Sequence, residues 1–178
     1  MRPIPGTVGE LEPIIHHTLS VLVADKPGVL NRVASLFRRR AFNIESLTVG
    51  RTSEPGVSRM TIVIDSDRRG AERVTAHLRN LVDVIQVEDL GPEPPIARDL
   101  ALVKMAVPHG DRQALLRVVD ETRAHIVDTG ERTMTVEITG EPPHVDAVIG
   151  RLQSLGIVEM VRTGQVAMRR GDSALTTD

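Results

Sequence analysis

One order of apolar pattern occurs twice along this chain, and few folds can accommodate it. Residues 17–24, HTLSVLVA, alternate as a strand does, with Leu19, Val21 and Val23 on one face. From Val29 to Arg40 the apolar positions Val29, Leu30, Val33, Ala34, Leu36 and Phe37 fall at helical spacing. NIESLTVG (43–50) and SRMTIVID (58–65) flank an SEPG turn and read as a hairpin. Ala71, Val74, Leu78 and Leu81 predict a second helix, and VDVIQVEDL a fourth strand, which completes the order βαββαβ. Beyond GPEPP, whose prolines cannot donate to a ladder, the order returns. LALVKMAV reads as a strand, and a helix runs through Leu115, Val118, Val119 and Thr122. HIVDTG and RTMTVEITG form a hairpin, a proline-started helix carries Val145, Val148, Ile149 and Leu152, and GIVEMVRTG ends the pattern.

Two such units predict an α+β protein of two consecutive ferredoxin-like βαββαβ sandwiches, each with its helices on one face of a mostly antiparallel sheet. The division expected is an extension over 1–15, a first unit over 16–91, a linker over 92–97, a second unit over 98–171 and a tail over 172–178. The extension is expected to be flexible. A unit of about 75 residues is marginal by itself, so covering a bare sheet face or edge with a second copy of the chain predicts a homodimer or larger assembly.

Composition narrows the chemistry. There are two phenylalanines and no tyrosine or tryptophan, so aliphatic side chains must fill the interior. Without cysteine the chain has no disulfide, thiolate metal site or thiol nucleophile, which suits the cytoplasm. It has no long apolar run for a membrane, and a net charge of −2 gives no pull toward nucleic acid. His16 and His17 are adjacent on a strand and so face opposite ways, which opposes a shared metal. Arg38, Arg39 and Arg40 suit the negative end of a helix dipole without any phosphate. No nucleophile motif, Walker loop or GxGxxG occurs, so no catalytic residue, cofactor or metal ligand is assigned to this chain. The fold order also fits RNA-recognition domains, but those stack bases on aromatic side chains, and SVLVA and RMTIVID have none.

The turn DKPGVL (25–30) carries the most specific signal. Asp25 reads as a helix cap and Pro27 as a first-turn residue, which leaves Gly28 unexplained, since glycine inside a helix costs about 1 kcal/mol relative to alanine. Lacking a Cβ, Gly28 lets a ligand approach the outward N–H groups of residues 28–30 at the positive helix end. A carboxylate fits those groups and an ammonium fits Asp25, so the turn can read a zwitterion.

DKPGVL, FNIESLTVG, SRMTIVI and LVDVIQVEDL, in that order, resemble the N-terminal ACT domain of the regulatory (small) subunit of acetolactate synthase. RDLALVKMAV and TGQVAMRRG extend the resemblance over nearly everything after residue 16. It implies a non-catalytic subunit that activates a large catalytic subunit and confers feedback inhibition by valine or another branched-chain amino acid. It also implies that the ACT domains pair and hold this effector between them. Asp25, Gly28, Val29 and Leu30 of one copy and Asn43 and Ile44 of the other are then the ligand-binding residues. Thiamine diphosphate, Mg and FAD are implied in the large subunit. An ACT-type sensor for another biosynthetic enzyme is the alternative. One departure is Ala41, where the family commonly has glycine; if that position is left-handed, it carries strain of about 1 kcal/mol. In the second unit VPHGDR lacks DxPG, so an equivalent second ligand site is not expected.

Overall fold

The computed structural model describes residues 13–91, 94–107 and 112–177. Most of the expected N-terminal extension, the centre of GPEPP and the middle of VPHGDR lie outside the described residues.

The first unit runs β1 (Ile15–Ala24), α1 (Val29–Arg39), β2 (Ser46–Arg51), β3 (Val57–Ser66), α2 (Arg68–Arg79) and β4 (Val84–Asp89). Its sheet has the order β2-β3-β1-β4, with every neighbouring pair antiparallel. Register places Leu19 opposite Ile62 and Val21 between Met60 and Val87, so the alternating apolar residues share one face. Both helices pack there. Val33 and Phe37 of α1 and Val74 and Leu78 of α2 join those strand residues in one buried cluster. Each such side chain contributes about 1.5–3 kcal/mol by leaving water.

The ends of the helices show how local chemistry fixes the elements. Asp67 caps α2, its carboxylate accepting from the Gly70 N–H at 2.6 Å. Asp67→Ala is therefore expected to cost about 1 kcal/mol, seen as a lowered denaturant midpoint at unchanged slope. Helix α1 ends in a Schellman turn: the Phe42 N–H donates to the Phe37 carbonyl at 3.1 Å, and the Ala41 N–H to that of Arg38 at 3.2 Å. Ala41 occupies the left-handed position at φ 55°. Ala41→Gly should raise stability by about 1 kcal/mol, or ~2–4 °C in thermal melting.

The second unit repeats the plan with β5 (Ile96–Ala106), α3 (Arg112–Thr122), β6 (His125–Thr129), β7 (Thr133–Gly140), α4 (Pro142–Gln153) and β8 (Ile157–Arg162). Its order is β6-β7-β5-β8, and Val103, Met105, Val136 and Ile138 pack beneath Leu115, Val148 and Leu152. Arg162 bridges its start and finish: Nε donates to Asp99 at 2.8 Å and Nη1 to Asp146 at 2.6 Å. Burial works to lower the Arg162 pKa, but the hydrogen bonds and charges of Asp146 and Asp99 outweigh it and leave the pKa raised. This arginine stays charged and serves as a fixed tie.

Two expectations change, and the tail makes a contact beyond them. Ile96 and Ala97, placed in the linker, begin β5, because a further strand, β9 (Val166–Met168), pairs with them and with Arg98. The second strand of the first unit starts at Ser46 rather than Asn43, which leaves Asn43 and Ile44 in the connection from α1. The tail packs against the first unit: Arg59 donates to the Leu175 carbonyl at 3.0 Å and Thr177 to Glu54 at 2.6 Å.

That return path covers the back of the first sheet. Ser20, Leu22 and Thr61 point away from the helices, yet all three are buried. Above them, the Gln165 N–H donates to Ser46 Oγ at 3.1 Å and its side-chain amide to Thr18 Oγ1 at 2.9 Å. Arg169 pairs with Glu88. The chain's own last residues thus occupy the back face of the first sheet, so the face half of that argument lapses there, while β2 and β4 are the sheet's outer strands.

Candidate functional site

The turn between β1 and α1 answers why a glycine follows Asp-Lys-Pro. Gly28 is not within the helix but immediately before it, at φ 87° and ψ −9°, a conformation that residues with a Cβ enter only with strain. Asp25 does not cap α1, and no other side chain does. Glycine at this position therefore avoids strain, and the helix-interior cost does not apply.

An uncapped start leaves donors free. The Val29 N–H makes a long 3.4 Å bond to the Lys26 carbonyl, and the first regular helical bond runs from the Arg32 N–H to the Gly28 carbonyl at 3.0 Å. The N–H groups of Gly28, Leu30 and Asn31 have no acceptor among the described residues. With the helix dipole behind them, they form an anion-accepting rim. The turn is held from below, where the Asp25 N–H donates to the Gly56 carbonyl at 2.8 Å and that of Ala24 to Asp83 at 2.9 Å. Asp83 also pairs with Arg32 at 2.8 Å.

The side chains divide in role. Val29 is buried in the core and can offer a ligand only its backbone, whereas Leu30 is 46% exposed and presents its side chain outward. The Asp25 carboxylate is half-exposed and faces Arg51 Nε at 3.4 Å, a long solvated pair that leaves capacity for a cationic group. Nothing in the sequence marks Arg51, because it lies 26 residues on, at the end of β2, and only the hairpin turn beside Asp25 brings it near.

Asn43 and Ile44 lie beyond the other end of α1, whose eleven residues span about 16 Å. Asn43 is exposed and its amide donates to Glu45, while Ile44 is half-buried against the core. One chain does not bring these two residues to the Gly28 turn.

Elsewhere, His16 and His17 face opposite ways, as adjacent strand residues must. His16 pairs with Asp65, and the buried His17 ring nitrogen Nδ1 lies 2.9 Å from Asp89. Among the described residues no group of three or more His, Asp or Glu side chains is placed to hold a metal ion. No described helix is long and apolar enough to cross a membrane.

A family model described as the AHAS small subunit-like ACT domain matches residues 19–86, and one described as the small subunit of acetolactate synthase matches residues 98–171. The probable acetolactate synthase small subunit of Methanothermobacter thermautotrophicus is 44% identical over 167 residues, which cover 93% of this chain and 99% of that one. The acetolactate synthase small subunit of Mycobacterium bovis is 42% identical over 161 residues, 90% of this chain and 96% of that one. The crystal structure of the acetolactate synthase small subunit from Thermotoga maritima superposes with a TM-score of 0.85 at 38% identity, covering 90% of this chain and all of that one.

Proposed function

The chain belongs to the small-subunit family of acetolactate synthase, and on that footing we propose that it binds the large catalytic subunit, raises its activity and makes it sensitive to a branched-chain amino acid. A regulatory subunit is what its family and its ACT domain support. The observation that carries the finer reading is the uncapped start of α1, where three unpaired N–H groups surround the left-handed Gly28.

In this reading the effector carboxylate accepts from the N–H groups of Gly28, Leu30 and Asn31, and its ammonium turns to Asp25, displacing or sharing the weak contact with Arg51. Asn43 and Ile44 come from a second copy. The Asn43 amide donates to Glu45, which leaves its carbonyl oxygen available to the ammonium, and Ile44 borders the branched side chain. A homodimer is thus part of the proposal, because a single chain holds the two halves at opposite ends of α1. Effector bound across two copies favours whichever arrangement of the pair holds it more tightly, and couplings of this kind amount to about 1–3 kcal/mol.

Thiamine diphosphate, Mg and FAD would belong to the large subunit, with this chain acting beside it in the cytoplasm. The test is reconstitution with a large subunit and an assay of pyruvate consumption with and without valine, leucine and isoleucine. Activation by the chain together with inhibition by at least one of the three is expected. Unchanged activity on adding the chain would reject the regulatory role, and activation without inhibition by any of them would reject the effector site.

A further inference from the structure

We propose that the cavity between the back of β2 and β3 and the paired strands β5 and β9 binds a small aliphatic carboxylate that carries no ammonium group. It adjoins the effector site at Gly28 through Arg51, which lines the cavity and pairs with Asp25, but its other walls belong to neither half of that site. The cavity measures about 310 Å3, enough for a small metabolite, and its apolar walls come from Ile96, Val166 and Met168. Thr48 and Thr61 form the floor from the sheet side.

Charge decides the ligand class. Every ionisable side chain that lines the cavity is an arginine: Arg51, Arg59 and Arg98. None of the three has a carboxylate at the 2.7–2.9 Å typical of a charge-assisted bond. Arg51 is 3.4 Å from Asp25, and Arg98 is 3.6 Å from Glu141. Arg59 donates to the neutral carbonyl of Leu175, and its buried Nε has no partner. Arg51 and Arg98 are thus loosely paired, whereas Arg59 has no carboxylate partner among the described residues, and an anion in the cavity would neutralise it. No carboxylate lines the cavity to accept an ammonium, which disfavours the free amino acid proposed for the Gly28 turn. The apolar walls favour a branched hydrocarbon tail over a bare inorganic anion.

The test is a titration of the full chain, observed through the methyl resonances of Met168 and Ile96, with three probes. One is 3-methylbutanoate, which is the valine skeleton without its amino group; the others are valine and inorganic phosphate. We expect 3-methylbutanoate to shift both resonances saturably, and Arg59→Met and Arg98→Met each to weaken that binding about tenfold. Valine and phosphate should leave the two resonances in place. If removing the contact to Leu175 unfolds Arg59→Met, Arg98→Met carries the comparison from the more exposed rim. No shift with 3-methylbutanoate, a shift indifferent to the arginine substitutions, or equal shifts with valine or phosphate would overturn the assignment.

Discussion

Gly28→Asp should abolish valine inhibition in the reconstituted complex while leaving activation by the small subunit close to that of the wild type. Space is not the obstacle, since a Cβ at this position would have Arg32 Nη2 as its nearest neighbour, 4.0 Å away. The backbone at φ 87° is left-handed, which aspartate enters at a cost of about 1–2 kcal/mol, so the chain still folds. What changes is the occupant of the amide rim, because the new carboxylate competes for the N–H groups of Leu30 and Asn31 and repels a ligand carboxylate. Loss of two charge-assisted bonds corresponds to about 3 kcal/mol, roughly a hundredfold in effector affinity. Gly28→Asn, similar in shape and neutral, separates charge from backbone strain and should retain part of the response. Inhibition of Gly28→Asp at the wild-type valine concentration would remove the turn from the effector site.

Gly164→Val is expected to cost about 1–3 kcal/mol through overpacking, without touching the Gly28 turn. A Cβ at residue 164 would sit 2.4 Å from Ser46 Oγ, 2.7 Å from Thr48 Oγ1 and 3.2 Å from the Leu47 carbonyl carbon. The two hydroxyls can rotate aside, but the backbone of β2 cannot, so the segment must lift. With it would go the bonds from Gln165 to Ser46 and Thr18. Hydrogen exchange would register the change as lost protection over residues 164–169 and at the newly uncovered Ser20 and Leu22, with the second core still protected. Wild-type protection in this variant would mean that the close approach tolerates a side chain.

The order of elements could be read because strands of period two and helices of period 3.6 alternate cleanly, and because the core needs only aliphatic residues at those positions. The strain at Ala41 could be suspected only through the family resemblance, in which glycine is common at that helix exit; the left-handed angle itself comes from the backbone. At Gly28 the sequence misleads by about one turn. Asp25 and Pro27 look like a cap and a first-turn proline, and only the backbone angles reveal an uncapped helix that starts after the glycine. Strand β9 escaped notice for another reason. Three residues, Val-Ala-Met, give too short an alternation, and their partner Ile96–Arg98 lies some seventy residues earlier behind a proline-rich stretch. The arginines Arg51, Arg59 and Arg98 look like solvated surface in the sequence, and only the crossing of the two units gathers them around one space.

The return of residues 164–177 over the first sheet has a consequence for how the protein is made. A ribosome releases β1 and β3 with Leu22 and Thr61 uncovered, and about a hundred further residues must be synthesised before their cover exists. At ~5–20 residues per second that interval lasts about 5–20 s, during which the nascent first sheet is exposed to pairing with neighbours on the same polysome.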